Sequence, residues 1–287
     1  MSAYPASLIQ ALRAEPGLKL SDRATKNPAW WPKDAPGDKN AAEKRLEELA
    51  PLLSDLQEQL FAASVSGGQA PAVLLILQGM DTAGKGGIVR HVLGMLDPQG
   101  VEHHAFKAPN KEEAAHDFLW RITKELPAGG LVGVFDRSHY EDVLVAKVKG
   151  FASPEVIESR YGKIVDFEKQ LIEQNIHPIK VMLHISREEQ YERLSERLER
   201  TDKHWKYSPG DVDDRLLWDG YQSAYETAIN RTDNQSAPWN IVPADQKWKA
   251  RLCVAELLLA TLERIAPQWP EATFDVVKEK ARLEAAK

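Results

Sequence analysis

One cysteine, Cys253, stands among 287 residues. A lone thiol excludes an intrachain disulfide framework and fits a reducing compartment, so a cytoplasmic protein is expected. Cys253 sits in an apolar helical stretch and reads as a small core residue. No apolar run approaches the ~20 residues that span a bilayer. Met1 to Pro16 lacks the charged-then-apolar plan of a secretory signal. No membrane partner is expected. An excess of positive charge is also missing, since the net charge is −6 at pH 7. That argues against nucleic acid as a partner. A polyanionic ligand would have to be held by a local basic channel. There is no CxxC, no Ser-His-Asp arrangement and no histidine pair at metal-ligand spacing. His103, His104 and His184 fall in predicted strands and read as structural.

What is present centres on Val73 to Val92. An apolar run, Val73 to Leu77, is long enough for a buried strand. Gly79-Met80-Asp81-Thr82-Ala83-Gly84-Lys85 follows with G-x-x-x-x-G-K spacing, and Ile88 to Leu96 reads as a helix. Strand, glycine loop and helix are the context in which such a loop cradles phosphate. Backbone N–H groups around Gly79, Ala83, Gly84 and Gly86 approach the oxygens, and the helix N-terminus adds partial positive charge. Lys85 would reach the outer phosphates. The hydroxyl that usually follows the lysine is replaced by Gly86, which cannot hold a metal. Asp81 lies inside the loop instead. A bare carboxylate there repels phosphate by about 4 kcal/mol per charge pair at roughly 4 Å and an effective dielectric near 20. A bridging Mg²⁺ reverses that sign, which makes Asp81 a candidate metal ligand. The alternative is a glycine turn with a solvated aspartate.

Along the chain, residues 1–39 form an arm that carries Trp30-Trp31-Pro32 as packing anchors, with base stacking as the alternative. Leu46, Leu49, Leu53, Leu56 and Leu60 recur at helical spacing from Asn40 to Val65, and Ser66 to Gln69 stops that helix. Further strands are expected at Val101–Phe106, Leu131–Phe135, Ile179–Ile185 and Trp239–Val242. Helices are expected at 110–126, 140–147, 154–174, 187–200, 221–230, 245–265 and 272–285. Residues 201–220 look like a polar excursion. Strands alternating with helices imply an α/β fold with a five-stranded parallel sheet covered on both faces. The core spans 40–265, with a lid at about 200–230, and 266–287 is a C-terminal helix. Ligands then bind at the carboxyl ends of the strands.

Several residues are placed for chemistry. Asp136 ends the third strand and would share a metal with Asp81; the alternative is a helix N-cap. Arg137 would clamp a phosphate bidentately or pair with a nearby acid. Glu141, one turn on, would touch nucleotide or a second metal, or only orient Arg137. Arg193, Arg197 and Arg200 share a helix face, but alternate with Glu192, Glu196 and Glu199, so a self-paired solvated face is equally open. Lys203 and Lys206 follow on the excursion, which suggests a cationic lid, joined by Arg231. Lys107, with Asp117 and Arg121, would form a second anion or nucleotide pocket; a plain helix ion pair is the alternative.

At these residues the chain resembles the type 2 polyphosphate kinases. The matching runs are LQGMDTAGKGG (Leu77–Gly87), PQGV (Pro98–Val101), FKAP (Phe106–Pro109), DFLWR (Asp117–Arg121), FDRSHYEDV (Phe135–Val143), DKHWKYS (Asp202–Ser208) and WNIVPADQK (Trp239–Lys247). Tyr140-Glu141-Asp142 after Arg137-Ser138 is similar to the class III branch, while Gly86-Gly87 departs from the Gly-Lys-Asp-Gly expected of many of its members. The resemblance implies a P-loop kinase fold like that of thymidylate kinases, with a helical lid. It implies Asp81 and Asp136 as Mg²⁺ ligands, Lys85 and Arg137 on phosphate, and Lys203 and Lys206 in the lid. The implied partners are inorganic polyphosphate and adenine or guanine nucleotides, with assembly as a homo-oligomer, dimer or tetramer. An ATP-dependent nucleotide kinase and a non-catalytic polyphosphate- or nucleotide-binding module remain as rival readings.

Overall fold

The computed structural model describes residues 6–65 and 70–287. Five parallel strands form one sheet in the order β2-β3-β1-β4-β5. They are β1 (Ala72–Gln78), β2 (Val101–Ala105), β3 (Val132–Asp136), β4 (Ile176–His184) and β5 (Trp239–Pro243). All of β1 is buried, as a strand with helices on both faces must be. Its register sets Leu77 beside Asp136 of β3 and beside Val181 of β4. The carboxyl ends of β1 and β3 therefore finish level, and both feed the same edge.

The helices in chain order are α1 (Ala6–Leu12), α2 (Lys39–Val65), α3 (Lys85–His91), α4 (Trp120–Lys124), α5 (Val145–Val148), α6 (Pro154–Glu173), α7 (Arg187–Glu199), α8 (Gly210–Leu216), α9 (Trp218–Thr232), α10 (Lys247–Ile265) and α11 (Val276–Glu284). α10 packs on α2 and lies along β1, β4 and β5; α6 lies on β4 and packs against α9. Leu46, Leu49, Leu53 and Leu60 of α2 are buried, as their spacing predicts. The stop expected at Ser66–Gln69 falls outside the described residues.

The arm before α2 is part of the core. Leu8, Leu12 and Leu20 are all but inaccessible. Arg13 bridges Asn240 of β5 in antiparallel fashion. Trp30 and Trp31 pack against the core rather than standing free, and the Lys249 ammonium lies 4.7 Å from the Trp31 ring.

Three expected helices and the expected excursion differ. The stretch 110–126 breaks into a 3₁₀ turn at Glu113–Ala115 and the short α4. Asn110 and Glu113 cap each other's backbone N–H, at 2.8 and 3.0 Å, which closes one turn but does not propagate. The 140–147 stretch becomes a 3₁₀ turn, His139–Asp142, followed by α5. Residues 201–216 are ordered as a 3₁₀ turn, Thr201–Lys206, and α8, not as an irregular excursion. α11 starts later than expected, where Asp275 caps the N–H groups of Val277 and Lys278.

Candidate active site

β1 delivers the chain into the glycine loop, and close approach explains the first glycine. Gly79 has φ +155°, and a Cβ there would lie 2.8 Å from Leu183 O and 3.0 Å from the Ala83 Cβ. Gly79→Ala should therefore cost about 1–3 kcal/mol of stability and displace the loop. A thermal melt together with the Michaelis constant for the phosphate donor checks this, and an unchanged pair of values would refute it. Gly84, at φ +115°, opens α3 in the left-handed region. The first turn of α3 leaves the N–H groups of Lys85 and Gly86 without intrahelical partners. Lys85 is buried, and its Nζ donates to Gly79 O at 2.9 Å. Its ammonium thus sits inside the loop, at the place where phosphate oxygens would accept.

Asp136 closes β3 and Arg137 turns back over the loop. Arg137 N donates to Leu77 O at 3.0 Å, and its φ of +66° matches that of Thr82. Left-handed residues other than glycine cost about 1–3 kcal/mol and persist where the surroundings hold them. The Arg137 Nη2 donates to Asp81 Oδ1 at 2.8 Å. Burial pulls the Arg137 pKa down, but the carboxylates of Glu141 and Asp81 outweigh it and the net shift is upward. No side chain among the described residues donates to the Asp136 carboxylate. Among those residues no three His, Cys, Asp or Glu side chains gather in metal-binding geometry. The protein's donors at this edge are thus the two aspartates. Both line the same cavity wall, and hard carboxylate oxygens of this kind could hold a cation such as Mg²⁺.

Asp81, Lys85, Asp136 and Arg137 line one cavity of about 900 Å³ with Lys107, Arg193, Arg197, Lys203 and Lys206. Glu141 lies behind that wall. With the Gln78 amide oriented to satisfy its neighbours, it donates to Glu141 Oε1 at 2.9 Å. Burial raises the Glu141 pKa, against the opposing pull of Arg137 and Lys85.

Other expected residues stand elsewhere or act differently. Arg193 is a brace and not a lid cation. Its Nη1 donates to Thr82 O and Ala83 O at 2.9 and 3.1 Å, and its Nη2 to Ala244 O and Asp245 O at 2.6 and 3.0 Å. It ties the glycine loop to the end of β5. Arg197 holds the turn after α7 through Lys206 O and Asp211, at 2.9 and 3.1 Å. Lys203 pairs with Glu196. Arg200 is exposed, pairs with Asp202 and Glu196, and does not line the cavity. Arg231 pairs with Glu158 and lies outside it too. Neither Asp117 nor Arg121 lines this cavity, and the helix ion pair between them does not form among the described residues. α4 begins only at Trp120, so Asp117 precedes it and bonds Lys163 at 2.8 Å. Arg121 is buried, and donates to Lys107 O at 2.8 Å with Asp142 beside it.

Sequence reasoning passed over two neighbours of the loop. Gln190, fully buried on α7, donates to Asp81 O at 3.3 Å. Tyr225 on α9 has its hydroxyl at the backbone of Gly79, and burial, then the Glu141 carboxylate, pushes its pKa up. Both lie more than a hundred residues from the loop, so no local spacing marks them.

Comparison with known proteins follows the same outline. The family model for Polyphosphate kinase 2 (PPK2) matches residues 37–270. The AMP/ADP-polyphosphate phosphotransferase of Meiothermus ruber is 42% identical over 86% of this chain and 90% of its own length. The ADP-polyphosphate phosphotransferase of Rhodopseudomonas palustris is 40% identical over 77% of this chain and 79% of its own. A crystal structure of polyphosphate kinase 2 from Arthrobacter aurescens TC1 superposes with a TM-score of 0.93 at 47% identity, covering 99% of both chains. A glycine cradle, a pair of strand-end and loop aspartates and a matching sequence over most of the length place this chain in the polyphosphate kinase 2 family.

Proposed function

We propose that the chain transfers phosphoryl groups, reversibly, between inorganic polyphosphate and nucleoside mono- or diphosphates, taking AMP to ADP and ADP to ATP. The observation that carries this is one cavity with Asp81 and Asp136 on its wall, the glycine cradle at its base and lysines and arginines around it. The names of the relatives from Meiothermus ruber and Rhodopseudomonas palustris support the substrate pair.

A nucleotide phosphate oxygen attacks the terminal phosphorus of the polymer. The bond to the next bridging oxygen breaks, and the polymer leaves one unit shorter. No covalent enzyme intermediate is needed, so the residues work by position and charge. Loop N–H groups and Lys85 hold the donor's end. Arg137, held in place by its ion pair with Asp81, faces the charge that spreads over the transferred group. Lys203 and Lys206, on the turn after α7, would close as a lid that excludes water. Asp81 and Asp136 would hold Mg²⁺, which supplies charge neutralisation at the phosphate oxygens when bound. Guanine nucleotides are proposed as further acceptors, in line with the putative GDP-polyphosphate phosphotransferase named in Corynebacterium glutamicum. We assign the chain to a reducing cytoplasm and to a homo-oligomer, a dimer or tetramer. No helix of the described residues is long and apolar enough to cross a membrane.

The test is purified protein with ADP, Mg²⁺ and long-chain polyphosphate, followed for ATP. ATP formation is expected. Folded protein that binds the polymer but makes no ATP would leave a binding module. Turnover that requires ATP and a nucleoside monophosphate, without polymer, would point to an ordinary nucleotide kinase.

A further inference from the structure

Successive carbonyls of the glycine loop, those of Asp81, Thr82 and Ala83, are all held by side chains of α7. Gln190 Nε2 donates to Asp81 O at 3.3 Å, and Arg193 Nη1 to Thr82 O and Ala83 O at 2.9 and 3.1 Å. Arg193 has no donor left for a ligand. Its Nε–H goes to Glu189 at 2.8 Å and its Nη2 to Ala244 O and Asp245 O at 2.6 and 3.0 Å, which uses all five N–H groups. Thr82 stands at φ +66°, a conformation that persists only where its surroundings enforce it. A planar trans peptide points its C=O and the following N–H in opposite directions. Each carbonyl held by α7 therefore also fixes the N–H of the next loop residue. The arm in turn holds the anchor of this brace. Asp245 N donates to Thr25 O at 3.0 Å, and Thr25 Oγ1 donates to Asp245 Oδ2 at 2.7 Å. The other carboxylate oxygen, Oδ1, accepts at 2.8 Å from the N–H of Ser186, the N-cap of α7. Further bonds seat the same stretch of arm. His184 Nε2 lies 3.1 Å from both Leu20 O and Arg23 O, and Lys249 Nζ donates to Lys26 O at 2.7 Å. Neither Thr25 nor Asp245 lines the cavity.

We propose that the N-terminal arm is a positioning element for the glycine loop, with Thr25 and Asp245 as its positioning residues. Thr25 seats Asp245; Asp245 seats the start of α7 and the far end of the Arg193 guanidinium; α7 then fixes the loop carbonyls. Neither residue touches substrate. The effect on rate rests on the phosphoryl-transfer reading above, whereas the clasp on the loop is a property of the free protein. Thr25→Val keeps nearly the same shape and the main-chain bond, and removes the one hydroxyl that donates to Asp245 Oδ2. A carboxylate that loses such a donor shifts to find another, and the bonds to Ser186 and Arg193 shift with it. The loop then samples other backbone conformations, because the strained Thr82 is the first residue to relax when its carbonyl is released.

The experiment uses the full chain and reads the loop apart from turnover. Amide hydrogen exchange of the free protein is followed over residues 79–88. Thr25→Val should raise exchange there about tenfold, the loss expected of one hydrogen bond to a charged group. Thr25→Ser keeps the hydroxyl and should exchange as wild type. Asn230→Ala removes the bond that α9 gives to Leu18 O at 2.9 Å. It loosens the arm without reaching Asp245, so its loop should also exchange as wild type. With ADP, Mg²⁺ and polyphosphate, Thr25→Val should lower kcat about tenfold and leave KM for ADP within about twofold. Asn230→Ala should leave both as in wild type. Unchanged loop exchange in Thr25→Val, the same rise in Asn230→Ala, or faster exchange with an unchanged kcat would overturn the positioning role. Wild type that forms no ATP, with loop exchange raised only in Thr25→Val, would refute the catalytic reading and leave the clasp standing. Wild type that forms no ATP, with loop exchange unchanged in Thr25→Val, would overturn both.

Discussion

Replacing Asp136 by asparagine is expected to lower turnover by about 10²- to 10³-fold while the fold stays intact. Asn has nearly the same shape, loses the charge and puts a donating NH₂ where one carboxylate oxygen was. Asp136 is the last residue of β3, level with Leu77, and no described side chain donates to it. The variant loses no side-chain hydrogen bond among the described residues, and the melting midpoint should move little. Asp81 alone leaves the metal one protein ligand short, and its Oδ1 is shared with Arg137 at 2.8 Å. The variant should need more Mg²⁺ for half-maximal rate, and added Mg²⁺ should not restore the full rate. Steady-state kinetics at several Mg²⁺ concentrations, beside a thermal melt, make the measurement. Undiminished activity would remove Asp136 from the reaction. A collapsed melt would instead assign it a structural duty.

Much of the sheet could be read from the chain because β1, β3 and β5 are short, largely apolar runs ending at a glycine, an acid or a turn, whereas β2 is polar and mostly exposed. Val73–Leu77 and Trp239–Val242 are of that kind, and both are strands. The short pieces were misread for a local reason. Asn110 and Asp117 each cap one turn, and two caps seven residues apart divide what the hydrophobic pattern joins into one helix. The glycine loop is legible through spacing; a salt bridge to some nearby acid is open for Arg137, but nothing in the chain marks Asp81 as its partner. The roles of the α7 arginines were not legible. Arg193, Arg197 and Arg200 carry the same charge at helical spacing, although α7 ends at Glu199 and Arg200 is already extended. Burial alone tells the brace from the surface pair, and burial depends on where β5 ends. Gln190 and Tyr225 reach the loop only through tertiary contact, for which one sequence carries no periodic mark.

Lys180 shows the same limit, since the run Ile179–Ile185 reads as an apolar strand despite a charge in its middle. That ammonium is fully buried and donates to Glu168 Oε2 and to Thr232 O, both at 2.8 Å. Glu168 Oε1 accepts from Tyr140 at 2.6 Å, and Thr232 Oγ1 accepts from Trp239 at 3.0 Å. The network joins α6, β4, α9 and β5 beneath the turn that carries Glu141. Glu168→Gln should destabilise the chain by about 3–5 kcal/mol, because it leaves a buried cation without a counter-charge. The melting midpoint should fall by on the order of 10 °C. Glu168→Leu/Lys180→Met should recover part of that loss, since apolar groups of similar volume often replace a buried pair at little cost. Burial raises the Glu168 pKa, but the Lys180 ammonium, then His139, pull harder, and the net shift is downward. The stabilisation is therefore present above the unfolded value of about 4.3 and is lost as pH falls through the lower folded value. Melts from pH 7 into acid should show a steeper decline for wild type than for Glu168→Gln. A variant that melts with wild type at neutral pH would mean that the pair's attraction only balances its desolvation. The hold on the Tyr140 turn would then have to come from packing against Trp239, whose ring centre lies 4.7 Å away.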